Sequence, residues 1–215
     1  MVHKFFPNIK NLNNGITLVE LVVVIFIIVI FSSIVIADFP KIKKEYALSR
    51  ATYKLAQDLR RVQDMGLSGV KLTDSNGVLV QTKGYGIYMD IRGAQLTQQY
   101  MLYADTCPSV NSKDYYVQAD PLFCLNYGGQ QAGQDYIVDT INVDDDNSGV
   151  FIKSINGSAA TAISINFTPP NPNISITDNT GNNNYANVII VLALRSDTSI
   201  TRTVTINKSG LITVN

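Results

Sequence analysis

The chain has 215 residues with 17 basic and 17 acidic side chains, a formal net charge of zero, so no strong field of either sign points to nucleic acid. It lacks tryptophan and holds a single histidine, His3, with two cysteines, Cys107 and Cys124. A Ser-His-Asp or Cys-His mechanism, or an imidazole metal site, would have to be built on that one residue near the N-terminus.

The first segment is short and polar, carries Lys4 and Lys10, and ends at Gly15. From Ile16 to Ala37 runs a 22-residue stretch interrupted only by Thr17, Glu20, Ser32 and Ser33. At about 1.5 Å per residue it is long enough to cross a bilayer core of about 30 Å. Glu20 is the one charge in it, and a carboxylate in that setting costs about 2.5 to 3.5 kcal/mol on insertion scales, so it is expected to have a partner and a role. The small-x-small pattern that an ordinary secretory signal places after its apolar region is missing. Processing is therefore expected ahead of the apolar run.

That order, Gly15-Ile16-Thr17-Leu18-Val19-Glu20 and then an unbroken apolar run, resembles the type IV pilin and pseudopilin superfamily. The resemblance implies that residues 1–15 are a prepilin leader. It implies cleavage between Gly15 and Ile16 by a prepilin peptidase that also methylates the Ile16 amine. Glu20 is then the glutamate that pairs with such an amine on a neighbouring subunit during assembly. Ile16 replaces the phenylalanine most often found at the mature start, and the helix-bending proline falls at Pro40 rather than at position 37, which moves the expected kink or boundary nearly one turn later. Loss of the leader removes His3, Lys4 and Lys10 and leaves 15 basic against 17 acidic residues. A mature chain without histidine is expected to be neither an enzyme nor a cofactor carrier.

Flanking charge does not orient the span by itself. Lys4 and Lys10 favour a cytoplasmic N-terminus, while Lys41, Lys43 and Lys44 pull the other way. The resemblance decides for a single-pass bacterial membrane protein with its N-terminus in the cytoplasm and its head exported, later part of a filament. The partners it implies are other pilins or pseudopilins through the N-terminal helix, the peptidase and methyltransferase, the inner-membrane assembly platform, and lipid before assembly. Nucleic acid is not expected.

Residues 16–37 form the transmembrane and assembly helix, and 38–66 continue it as an amphipathic stem. Leu48, Ala51, Leu55, Leu59 and Val62 recur at steps of three and four, with Lys54, Asp58, Arg60, Arg61 and Asp64 between them. Gly66-Leu67-Ser68-Gly69 is expected to stop the helix near Gly66. From residue 67 to 215 the period changes to two and the turn residues multiply, which marks a β-rich head. The expected strands are 78–82, 86–90, 99–104, 136–141, 150–155, 163–167, 173–177, 188–194, 201–206 and 211–214. The clearest alternation is Ile163, Ile165, Phe167, and the most buried-looking run is Val188 to Leu192. Asn207-Lys208-Ser209-Gly210 reads as a hairpin turn. The fold class is α+β, one long N-terminal helix packed on an antiparallel sheet, as in the pilin fold. Leu55-Ala56-Gln57-Asp58-Leu59-Arg60-Arg61, Tyr85-Gly86-Ile87-Tyr88 and the closing hairpin Thr201–Val214 resemble the H-type pseudopilins and FimT-type minor pilins.

Four features of the head invite chemistry. Cys107 and Cys124, with sixteen residues between them, would close a loop worth about 3 kcal/mol in an oxidising compartment, or are two unrelated buried thiols. Asp144, Asp146 and Ser148, followed by Gly149, resemble the first half of a calcium loop, but the twelfth position is Ile155, so the turn reads chiefly as a solvated acidic one. Gly84-Tyr85-Gly86 reads as strand-edge punctuation. The asparagine-rich stretch from Thr177 to Asn187 reads as an exposed loop. The reading is a minor structural subunit of a type IV pilus or type II secretion pseudopilus. Its alternatives are a DNA-uptake minor pilin, for which Lys153, Arg195, Arg202 and Lys208 are the sparse candidates, and a membrane-tethered ectodomain with its own ligand.

Overall fold

One helix and eleven strands carry the described residues of the computed structural model, which are 15–93, 98–106, 135–145, 147–156, 159–169 and 173–215. The helix α1 runs Leu18–Ser68 and stays helical through Pro40, so no helix boundary falls there. The chain divides into two compact units, Met1–Ile42 and Lys43–Asn215. That division lies inside α1.

α1 ends two residues beyond Gly66, at Ser68. Gly69 takes the left-handed conformation (φ 58°), and the Val70 N–H donates to the Met65 carbonyl at 3.3 Å, a Schellman closure. Gly66 is inside the helix for a different reason. A Cβ there would stand 2.6 Å from the Phe167 carbonyl oxygen, so glycine lets α1 approach the sheet backbone.

The strands are β1 (Leu72–Thr73), β2 (Leu79–Val80), β3 (Gly84–Asp90), β4 (Gln99–Asp105), β5 (Tyr136–Asn142), β6 (Val150–Ile155), β7 (Ala162–Thr168), β8 (Asn173–Asp178), β9 (Asn187–Leu194), β10 (Asp197–Asn207) and β11 (Ile212–Val214). β1 and β2 make a small hairpin, which the sequence reading missed on its β1 side. Asp74 builds its turn, its Oδ1 accepting from the Asn76 and Val78 N–H groups, and Gly77 supplies a positive φ. The other strands form two antiparallel sheets, five strands in the order β5-β4-β3-β7-β8 and four in the order β11-β10-β9-β6. The Asn207 to Gly210 turn joins β10 and β11 as expected: Asn207 Oδ1 accepts from the N–H groups of Ser209 and Leu211.

Helix and both sheets share one core. Leu48, Ala51, Leu55, Leu59 and Val62 are all buried, in one cluster with Ile87, Leu102 and Ile165 of the first sheet and Ile190, Leu192, Val204 and Ile206 of the second. Polar contacts pin the stem to the first sheet. The Tyr100 hydroxyl, buried, donates to Asp58 Oδ2 at 2.5 Å, and Tyr85 donates to the Val70 carbonyl. The Lys54–Asp145 pair at 3.0 Å is half exposed and contributes little, about 0 to 1 kcal/mol.

Burial, and then the Asp58 carboxylate, hold the Tyr100 phenol well above its ordinary value of 10.0. A group with a raised folded value adds stability below its unfolded pKa and loses it as pH climbs past that point. Tyr100→Phe should therefore destabilise the full-length protein by about 1.5 to 3 kcal/mol at neutral pH and flatten part of its stability loss above about pH 10. Denaturant melts at neutral and alkaline pH check both effects. An unchanged neutral midpoint would mean that the Tyr100–Asp58 contact does not hold the stem.

Candidate functional site

The segment from Gly15 to Glu20 is built around the start of α1. Gly15, Ile16 and Thr17 lie outside the helix, which begins at Leu18. Thr17 is its N-cap: the threonine Oγ1 accepts the Glu20 N–H at 3.2 Å, and its carbonyl accepts the Leu21 N–H at 3.1 Å. Thr17 and Glu20 thus occupy the N-cap and N3 positions of a capping box, and a negative charge in the first turn suits the helix dipole. Sequence reasoning took the two residues as family markers and missed their local partnership, although the T-x-x-E spacing before an apolar run signals it. The Glu20 carboxylate is exposed and has no hydrogen bond or ion pair among the described residues.

From Leu21 to Phe31 the helix offers only apolar surface. The large apolar side chains from Ile16 to Ile36 are between 44% and 78% exposed, a surface no soluble chain leaves uncovered without a use. α1 is the one helix among the described residues long and apolar enough to cross a membrane. Ser33 returns its hydroxyl to the Val29 carbonyl at 2.8 Å, so it presents no unsatisfied donor to an apolar surrounding.

In the head, the chemistry proposed from sequence is largely absorbed by the fold. Asp144 Oδ1 accepts from the Ser148 hydroxyl (3.2 Å) and the Gly149 N–H (2.8 Å), closing its own turn, and Asp145 pairs with Lys54. Asp146, the third member of the calcium candidate, lies outside the described residues, as do Cys107 and Cys124. No group of three metal-ligating side chains occurs among the described residues. Of the four basic candidates for DNA, Lys153 donates to the Thr198 carbonyl, Lys208 to the Asn183 carbonyl, and Arg195 stacks on Phe151 at 5.2 Å.

Gly84-Tyr85-Gly86 opens β3, the central strand of its sheet. Gly86 faces Tyr103 across the β3–β4 pair, and a Cβ on it would enter the Tyr103 ring. The asparagine-rich loop is exposed from Asn179 to Asn184 apart from the half-buried Gly181, and Asp178 organises it. That carboxylate accepts from the Thr180 N–H and hydroxyl, the Asn182 N–H and the Tyr185 hydroxyl. Burial opposes its charge, but these donors prevail and hold Asp178 below the usual carboxylate range.

No curated protein and no solved structure matches the chain. A family described as the prokaryotic N-terminal methylation motif matches residues 10–36, the stretch that contains Gly15, the Thr17 cap, Glu20 and most of the apolar run. That motif runs into the first part of α1, and together with a long helix followed by antiparallel sheets, an architecture consistent with the pilin fold, it supports the likeness to the type IV pilin and pseudopilin superfamily.

Proposed function

We propose that the chain is a structural, minor subunit of a type IV pilus or type II secretion pseudopilus. It is cut after Gly15, N-methylated on Ile16, and assembled through residues 16–37 with the head exported. The observation that carries this reading is the coincidence of the methylation motif with an apolar helix that finds no cover among the described residues. Stored singly, that helix belongs in lipid; in a filament it is covered by its neighbours, with Glu20 beside the Ile16 ammonium of another subunit. Cysteines 107 and 124 fit a disulfide in an exported head.

Mass spectrometry of the mature protein should find Ile16 first, carrying one methyl group. Gly15→Val should abolish processing, because a branched side chain crowds a subsite that accepts glycine. The two-residue gap between Gly15 and the helix start keeps the scissile bond in non-helical chain, the form in which a peptidase can bind it. A mature start beyond Ala37, as a conventional signal peptidase would leave, sinks the reading.

A further inference from the structure

At the end of the head where α1 finishes, a cleft of about 290 Å³ opens between the helix terminus, the β1–β2 hairpin and the start of β3. Its walls are fixed. Gly66 and Gly84 both line it, and a Cβ on either would fall within 2.6 Å of the Phe167 carbonyl oxygen, so helix and strand sit directly on the β7 backbone. The Tyr85 hydroxyl ties the same strand to the Val70 carbonyl.

The lining has an unbalanced chemistry. The Lys71 and Lys83 side chains are exposed, their ammonium groups have no hydrogen-bond or ion-pair partner among the described residues, and no acidic residue lines the cleft with them. Val70 and Leu79, 39% and 47% exposed, give it an apolar wall, and Val78 beside it is 55% exposed. Here two ammonium groups without a partner among the described residues flank uncovered apolar surface.

We propose that this cleft is a docking site for a peptide segment of a different protein, one that presents a carboxylate to Lys71 and Lys83 and seats an apolar side chain against Val70 and Leu79. The apolar wall disfavours a free inorganic anion, which would gain nothing from it. A second copy of this chain, whose stem exposes Glu45 beside Tyr46, is the competing occupant that sedimentation tests. The proposal holds for the head whether or not the chain enters a filament.

The test pans a random peptide library on the full-length protein in detergent and measures the enriched peptides by fluorescence anisotropy. The expected peptides combine Asp or Glu with Leu, Ile or Phe, bind about tenfold more weakly to Lys71→Glu/Lys83→Glu, and weaken with rising salt. Leu79→Ser should weaken them as well while leaving the lysines in place. Enriched peptides without acidic residues, equal binding to wild type and double variant, or no enrichment at all would overturn the proposal. So would sedimentation showing self-association that the double variant abolishes, which assigns the cleft to a second copy. Displacement of the peptides by a short DNA duplex at equal charge concentration would reassign it to nucleic acid.

Discussion

Glu20→Val should be cleaved and held in the membrane like the wild type, yet enter filaments or retain partner pilins at least tenfold less. The backbone reason for expecting normal processing is that the Thr17 cap uses the Glu20 N–H, which any residue at this position keeps. What the substitution removes is the carboxylate, exposed in the first turn and without a partner among the described residues. A carboxylate at the centre of a lipid-embedded helix costs about 2.5 to 3.5 kcal/mol and one in the first turn a part of that, which is relieved when a neighbour's ammonium stands beside it; relief of about 1.4 kcal/mol is already a tenfold preference for the filament. Glu20→Gln separates assembly from capping. Glutamine serves at N3 of a capping box as glutamate does, so a capping role would leave Gln at wild-type level, whereas an ammonium partner would not accept it. Sheared-filament yield at equal expression is the measurement. Full incorporation of both variants would remove Glu20 from the assembly contact.

The long-range layout was readable because it rests on periodicity. The stem stripe from Leu48 to Val62 is buried as its spacing implies, and most expected strands appear within a residue or two of their places. What pattern could not reveal is which faces the tertiary fold covers. Ile163, Ile165 and Phe167 alternate with Ser164 and Asn166, which suggests a half-exposed strand, yet β7 is buried on both faces from Ala162 to Phe167. Ser164 meets the Tyr103 hydroxyl at 2.5 Å and Asn166 Nδ2 donates to Asp105 at 2.9 Å, while Asn166 Oδ1 stays buried without a hydrogen bond among the described residues. The continuous run from Val188 to Leu192 suggests burial on both sides, but β9 alternates and Ile189 is 39% exposed. Composition reports what a strand can tolerate, while its neighbours in the sheet decide what it meets.

The same limit explains the glycines. Gly66 looked like a helix stop and Gly84 and Gly86 like strand punctuation, since a sequence shows that glycine is permissive but not what presses against it. In the candidate site the converse occurred. The Gly15, Ile16 and Glu20 register was legible because the motif is local, but the hydrogen bond that makes Thr17 the helix start was overlooked among residues already assigned to another purpose.

Gly86→Ala should be a strongly damaging small substitution in the head. Gly86 sits directly opposite Tyr103 in the β3–β4 register, and the tyrosine ring lies over the bare backbone, the arrangement by which an aromatic side chain rescues a glycine in a sheet. A methyl group there enters the space of a ring that is itself 1% exposed and fixed by Ser164, so neither partner can step aside. Overpacking of this kind costs about 1 to 3 kcal/mol and occasionally more; in the central strand the upper end is expected. Tyr103→Ala alone opens a cavity and costs about 3 to 5 kcal/mol. Because the two residues contend for one volume, Gly86→Ala/Tyr103→Ala should be less destabilised than the two single losses added together. Chemical denaturation of the three full-length variants in detergent measures the coupling, and strict additivity would show that the Tyr103 ring does not rest on Gly86. Leader removal should be unaffected in all three, since Gly15 belongs to the unit Met1–Ile42 and the damage to Lys43–Asn215. Variants cut normally at Gly15 but degraded in the head would show that processing and head folding are independent properties of this chain.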